Sequence, residues 1–433
     1  MGVYISNTAV LDQKSKYKLL TPYEKQNNDY ILEINDITKK ENFQHHYTAR
    51  IISINQKSFL TDIEVLIKTP DMYKLKKGDR IQTKTKFYFF KDTESFSYKS
   101  YMNSKNIYAS SHINSLHTID YMPPNRLQLS ALQLRESLLS VIYEIYPKNE
   151  AIFLGGILLG ARESLSDEIK EDFNNSGLTH FIAVSGFNIT ILILFLTYVL
   201  KYFPKTIQIF GISIFILFFV LLVGDTAPVI RAAFMGLLGY VILISGRKGH
   251  SYSLISFTAL IMILFSPLSL NYDVSFHLSF LAVLGIIFMQ SFYKKVFAKA
   301  PEFLAIKEAL VLTFSALTFT LPLMLFNFGQ VSILSPLANI SVTRTIPIAM
   351  LLGFISIIVY FVSPFFGEII GYFTWVLLKF DMNMVELFGN FEHAVFVYDF
   401  GVYKNYFLTL YFMISIFVLL YIYAPKQKQE TKK

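Results

Sequence analysis

Beyond residue 126 polar side chains are sparse, and four short segments hold the densest groups of candidates for chemistry. The first is Ser176-Gly177-Leu178-Thr179-His180-Phe181-Ile182-Ala183-Val184-Ser185-Gly186-Phe187-Asn188. The second runs Gly224-Asp225-Thr226-Ala227-Pro228-Val229-Ile230-Arg231, and the third Ser275-Phe276-His277-Leu278-Ser279 through Gly285. The fourth is Leu321-Pro322, then Phe328-Gly329-Gln330-Val331-Ser332, then Ser335-Pro336-Leu337-Ala338-Asn339, with Arg344 close behind. A polar group in an apolar setting costs several kcal/mol unless it is paired, so such residues mark helix contacts or a hydrated path. His180 and His277 fit either a satisfied histidine at a helix contact or a pore lining. Ser185 with His180 as its base would be a hydrolytic pair. No third residue at this spacing orients the imidazole, and no catalytic residue is assigned. Arg231 lies one turn past Pro228, which suits the first turn of a helix, and Asp225 or a backbone carbonyl is its expected partner. Steering a phosphate is the other reading. Arg344 lies between Pro336 and Pro347, in a stretch where broken helix is expected. That favours a pore position over snorkelling to a headgroup.

A second kind of chemistry stands earlier in the chain. After the turn signal Lys77-Gly78-Asp79-Arg80, period-two alternation puts Ile81, Thr83, Thr85, Phe87 and Phe89 on one face. Gln82, Lys84, Lys86, Tyr88 and Phe90 take the other, just after Lys74, Lys76 and Lys77. Cations beside an aromatic platform suit single-stranded nucleic acid. A solvated strand face has the same appearance. Asp62 and Glu64, on an expected neighbouring strand, tell against a uniformly basic groove.

Two kinds of element must position these residues. The chain has 433 residues, 53% hydrophobic and 16% charged. Residues 1–126 carry 19 Lys/Arg and 13 Asp/Glu, and residues 127–433 carry 20 and 18. The first part has ordinary soluble polarity and the second that of a membrane domain, which excludes a wholly soluble enzyme and a disordered chain. The absence of cysteine removes disulfides, thiolate metal sites and Cys nucleophiles. No Walker A pattern and no His-x-His-x-Asp cluster occurs, so no motor, metal or cofactor is expected.

Several short alternating strands over 7–118 predict a small β-barrel of the OB type, with a sandwich as the competing fold. The expected organisation is a β domain over 1–120, a linker with interfacial amphipathic helices over 121–176, and a multi-span domain over 177–433. Spans are expected near 178–200, 206–223, 228–245, 251–268, 274–292, 308–327, 342–363 and 404–424. Segment 366–390 holds Lys379, Asp381 and Glu386 and is left between spanning and interfacial. Loops with Lys201/Lys205, Arg247/Lys248 and Lys294/Lys295/Lys299/Lys307 alternate with loops devoid of Lys and Arg. By the positive-inside rule the basic loops and the tail from Lys426 are cytoplasmic, and the β domain is extracytoplasmic. The tail reaches the cytoplasm only if 366–390, or part of 331–341, adds a crossing. An exported β domain also needs an anchor, and one encoded upstream of Met1 is expected.

These four segments, with Gly156–Ser164 before them and Phe96-Ser97-Tyr98-Lys99-Ser100-Tyr101 earlier, resemble in type and order the ComEC family of competence proteins. The resemblance covers roughly 45–345. It implies a bacterial inner-membrane channel that passes single-stranded transforming DNA. The implied partners are single-stranded DNA, a periplasmic or surface DNA receptor, a cytoplasmic ATP-driven translocase or single-strand-binding protein, a separate nuclease, and membrane lipids. Fuller family members end in a metallo-β-lactamase-like domain, absent from this sequence, so degradation of the other strand is expected of another protein. The family usually has His where this chain has Asn188, and Gln where it has His277. A transporter of another envelope polyanion and a non-transporting scaffold remain as alternatives.

Overall fold

The computed structural model describes residues 12, 14–41, 44–59, 63–91, 98–122, 125–161, 165–182, 184–224, 227–244, 251–301, 306–398, 406–407, 409–411 and 413. Two compact units divide the chain. The first comprises 1–170, 179–276 and 346–382, and the second 171–178, 277–345 and 383–433.

The first unit opens with a β-sheet domain of eight strands. They are β1 (Asn28–Glu41), β2 (Gln44–Ile54), β3 (Lys57–Ser58), β4 (Glu64–Pro70), β5 (Asp79–Thr85), β6 (Tyr88–Phe89), β7 (Ile107–His112) and β8 (His117–Tyr121). The sheet order is β6-β7-β4-β2-β1-β5-β8, with β3 beside β2. β1, β2 and β4 form an antiparallel meander, whereas β7 lies parallel to β4. Thr85 Oγ1 meets Ser111 Oγ at 2.6 Å and Thr83 Oγ1 donates to the Ser115 carbonyl at 2.9 Å, so β5 is tied to β7, four places away in the order, and to the loop that follows it. The sheet therefore curls on itself around Tyr30, Leu32, Ile34, Tyr47, Ile51, Val65, Ile67 and Ile81, all at most 1% exposed. Burial of side chains of this size contributes about 1.5–3 kcal/mol each.

The alternation predicted after Gly78 holds through Tyr88. Ile81, Thr83, Thr85 and Phe87 are buried, while Gln82, Lys84, Lys86 and Tyr88 are exposed. It fails at Phe90, which is buried against Met102, Ile107 and Leu66. The reason is a change of partner: β5 ends at Thr85, and β6 leaves its ladder to pair with β7. Helix α1 (Tyr98–Ser104) covers the same spot, its Tyr98 ring 5.4 Å from that of Phe90.

The helical part follows as α2 (Arg126–Ile145), α3 (Lys148–Leu159), α4 (Asp167–Ser176), α5 (Thr179–Ile182), α6 (Gly186–Val199), α7 (Lys205–Val223), α8 (Ala227–Ile244), α9 (Ser251–Phe265), α10 (Ser269–Tyr272), α11 (Val274–Val296), α12 (Ile306–Phe328), α13 (Ser335–Val342), α14 (Thr345–Val362) and α15 (Pro364–Gly389). In the second unit β9 (Gln330–Ser332) pairs antiparallel with β10 (Val395–Val397). Among the described residues four helices, α7, α11, α12 and α14, are long and apolar enough to cross a membrane, and α6, α8 and α9 contain shorter apolar stretches. The span expected at 404–424 lies mostly outside the described residues.

One boundary differs from expectation. The single span predicted over 178–200 is two helices, α5 and α6, because Ser185 is extended (φ −113, ψ 173) and restarts the helix as its N-cap. The segment before α14 is separate as well, in keeping with the break expected there: α13 has Pro336 in its first turn and stops at Val342. The start of α4 is capped by Ser166, whose Oγ accepts from the Ile169 N–H at 3.3 Å. α3 is short, 12 residues, yet every side chain from Glu150 to Leu159 is buried, and Gly160 ends it in a left-handed conformation (φ 69).

Candidate functional site

Four groupings hold the sequence-selected residues, two of them in the helical part of the first unit. Pro228 opens α8, and one turn later Arg231 points inward, 3% exposed. Its Nη2 donates to the Ser275 carbonyl at 3.1 Å and to Ser275 Oγ at 3.0 Å. Its Nη1 stands 3.7 Å from Asp273 Oδ2. Asp273 also accepts from the Ser275 N–H at 2.9 Å, holding the first turn of α11 in place. The expected partner Asp225 lies outside the described residues, and the carboxylate found beside Arg231 is Asp273. Arg231 Nε and Nη1 have no hydrogen-bond partner among the described residues, so the buried guanidinium keeps donors to spare. Five donors on a planar cation suit an anionic oxygen.

The second grouping centres on Asn188, which is fully buried. Its Nδ2 donates to the Ile157 carbonyl at 3.0 Å, and its Oδ1 accepts from Ser185 Oγ at 3.4 Å. Asn188 thus ties the start of α6 to the last turn of α3, a structural role that consumes the Ser185 hydroxyl. His180 is exposed on α5, its ring 4.2 Å from that of Phe181.

The third grouping belongs to the second unit. Gly177 is left-handed (φ +74), and a Cβ there would stand 2.6 Å from Ser335 Cβ. Gln330 is exposed on β9, and His277 is half-buried in the first turn of α11. Asn339 on α13 reaches Thr313 Oγ1 at 3.5 Å, a limiting distance, while its Oδ1 is buried without a hydrogen-bond partner among the described residues. Arg344 is exposed in the turn between α13 and α14.

The fourth grouping is on the β domain. Lys74, Lys76, Lys77, Lys84, Lys86 and Tyr88 are all exposed, and Tyr88 is 46% so. The neighbours of β5 are β1 and β8, not the strand bearing Glu64. The acidic residue opposite Lys84 is Asp29. Glu64 instead accepts from Asn35 Nδ2 at 2.7 Å, and Asp62 lies outside the described residues. The register also assembles a cluster that the sequence did not reveal. Glu33 sits between Arg50 and Arg80 on the flanking strands and accepts from both at 3.0 Å. On β7, burial and then the nearby Lys68 push the His112 imidazole below its ordinary value. Among the described residues no group of three or more His, Cys, Asp or Glu could hold a metal ion.

A β-sheet domain at the N-terminus, followed by a run of apolar helices that keep a buried arginine and asparagine, defines a polytopic α-helical membrane protein with an appended β domain. The profile of the competence protein family matches residues 157–425, more than half of the chain. The chain belongs to that family. It is 23% identical to "ComE operon protein 3" of Bacillus subtilis (strain 168) over 283 residues, 65% of this chain and 35% of that one. It is 30% identical over 215 residues to an uncharacterized protein of Aquifex aeolicus (strain VF5), 49% of each chain. The chain thus spans between about a third and a half of the length of these relatives. No solved structure matches it.

Proposed function

We propose that the chain is an inner-membrane channel admitting one strand of transforming DNA. The observation that carries this reading is the competence-family match over most of the helical part, which supports a role in DNA uptake. Physical chemistry supports the channel. Every nucleotide carries a charge that cannot enter hydrocarbon, so the path must be wet or lined with donors. Arg231, buried in an apolar helix with unused donors, is a group of the required kind.

In this reading the β domain faces outward as an OB-like capture module. It receives DNA from a receptor on the Lys84–Lys86–Tyr88 face, with Lys74, Lys76 and Lys77 alongside. A cytoplasmic translocase pulls the strand, single-strand-binding protein coats it, and a separate nuclease removes its complement. The chain itself catalyses no bond cleavage.

Deleting the gene should reduce entry of labelled DNA into the cytoplasm, and with it transformation, to background. Undiminished uptake would defeat the channel and leave export of another polyanion or a scaffold role. Within the full chain, Lys84→Glu and Lys86→Glu with Tyr88→Ala should weaken oligonucleotide binding by about tenfold or more, since one stacked base is worth ~1–3 kcal/mol. The slope of affinity against salt should flatten as well. Unchanged affinity and slope would remove this face from the path.

A further inference from the structure

The pairing of β9 with β10 constrains how the chain crosses the membrane. β9 directly follows α12, and the Tyr398 N–H donates to the Gly329 carbonyl at 2.9 Å, so both strands sit at the same end of α12. Further on, Tyr411 donates to the Thr318 carbonyl at 2.8 Å, so the chain runs back along α12 from that end. Between β9 and β10 the chain must therefore cross an even number of times. α14 is one of the four helices suited to crossing. One further crossing is needed, from either 333–344 or α15.

Three observations select the former. Asn339 reaches Thr313, which lies fifteen residues before the end of α12, about 22 Å down its axis at ~1.5 Å per residue. The chain has thus descended most of a bilayer by the middle of α13. Secondly, the end of α14 is bound to the end of α2. Tyr360 donates to Glu144 Oε2 at 2.9 Å, and the Tyr146 and Ser356 hydroxyls meet at 2.6 Å. α2 precedes the first crossing, so α14 ends on the side where that crossing begins. Thirdly, α15 stays with the same helices: Gly371 packs on Ile145, and Lys379 Nζ lies 3.6 Å from Glu150. α15 also carries Glu368, Lys379, Asp381 and Glu386, and is not among the four described helices long and apolar enough to cross.

We propose that residues 333–344 form a broken transmembrane leg lining a hydrated path, with Arg344 at its cytoplasmic end and α15 lying in the outer interface. α13 has 8 residues, about 12 Å of helix against a hydrocarbon core of ~30 Å. The helix is interrupted on both sides: Ile333 leaves the helical ladder and donates to the Ala394 carbonyl at 2.8 Å, and a turn at Thr343 and Arg344 separates α13 from α14, breaks that lipid does not tolerate unless they are buried or line a cavity. Ser332 Oγ and Asn339 Oδ1 are buried without hydrogen-bond partners among the described residues, as expected of groups that water or a passing ligand must serve. The ligand class is a hydrated phosphodiester. Only that cargo rests on the channel reading; the placement of the leg does not.

The chain has no cysteine, so single Cys residues can be placed without background. In right-side-out vesicles, a membrane-impermeant maleimide should label Gln330→Cys, Ser363→Cys and Glu392→Cys. Arg344→Cys should react only in inverted vesicles. Labelling of Arg344→Cys from outside with Ser363→Cys from inside would overturn the leg in favour of a spanning α15. Small charged methanethiosulfonates should modify Ser341→Cys and Asn339→Cys on the order of tenfold faster than the exposed apolar control Ile214→Cys, because only a hydrated thiol ionises to react. Ser341→Cys is nearly isosteric and keeps the fold. Rates at both positions as slow as at Ile214→Cys would exclude a wet path. Neither measurement involves DNA, so loss of the channel reading leaves this test standing.

Discussion

A Gly285→Val substitution is expected to remove the folded protein from the membrane. Gly285 lies midway along α11, where a side-chain Cβ would overlap the Ser315 carbonyl of α12. Small residues let membrane helices approach until backbone meets backbone, and such contacts replace the hydrophobic drive that lipid removes. The obstacle here is backbone, so no rotamer relieves the clash. α11 and α12 would have to separate, losing contacts along both helices at an expected ~3 kcal/mol or more. Gly239→Ala is the matched control. Its added methyl meets only Leu254 Cδ2 at 3.9 Å, so it should be neutral or slightly stabilising. Detergent-extracted thermal stability and membrane abundance measure both. Wild-type stability of Gly285→Val would show that the two helices do not meet as described.

The second large effect is expected at Arg231. Arg231→Met leaves Asp273 buried with its counter-charge gone and the Ser275 carbonyl without its donor. Breaking a buried pair by removing one partner costs about 3–5 kcal/mol, whereas removing both charges can be close to neutral. Arg231→Met should therefore sharply reduce membrane-inserted protein, and Arg231→Met with Asp273→Asn should restore much of it. Transformation decides what Arg231 does. A guanidinium serving only the fold would let the double variant recover uptake along with abundance. A guanidinium that meets phosphate gives a protein restored in amount and still defective in uptake. Arg231→Lys should retain insertion and lose part of the uptake, since an ammonium has three donors where the guanidinium has five, and the two Ser275 contacts leave it only one to offer.

What the sequence made legible follows from range. The faces of β5 were readable because alternation is a local property: Ile81, Thr83 and Thr85 point inward whatever lies beside them. The identity of the neighbouring strand was not, because it depends on β1 returning across some fifty residues. Glu64 was therefore placed beside the lysines where Asp29 stands. Arg231 shows the same limit. Asp225 is close in sequence, whereas Asp273 is brought near by the meeting of α8 with the start of α11, and no periodicity encodes that. The break before α6 left a visible trace in Ser185 and Gly186. Asn188, singled out for its polarity, is engaged by a carbonyl of α3, a bond no side-chain pattern discloses. Pro336 and Pro347 did announce interrupted helix, each standing in the first turn of a new helix, α13 and α14, whereas Pro322 lies inside the continuous α12.

The strand order of the β domain also sets a sequence of events. β7 pairs parallel with β4, Glu64–Lys68 against Ile107–His112, and β5 pairs with β1 across a comparable separation. Such long-range pairings close large loops before any contact rewards them, which makes folding slow relative to hairpin formation. The β1–β2–β4 meander can form as it is made, but the sheet cannot curl shut until β7 has arrived. Until then β4 offers an unpaired edge, a standing template for another chain. The domain thus depends on its last strands for protection as much as for shape. A truncation before residue 107 should aggregate through β4, and would not persist as a smaller soluble sheet.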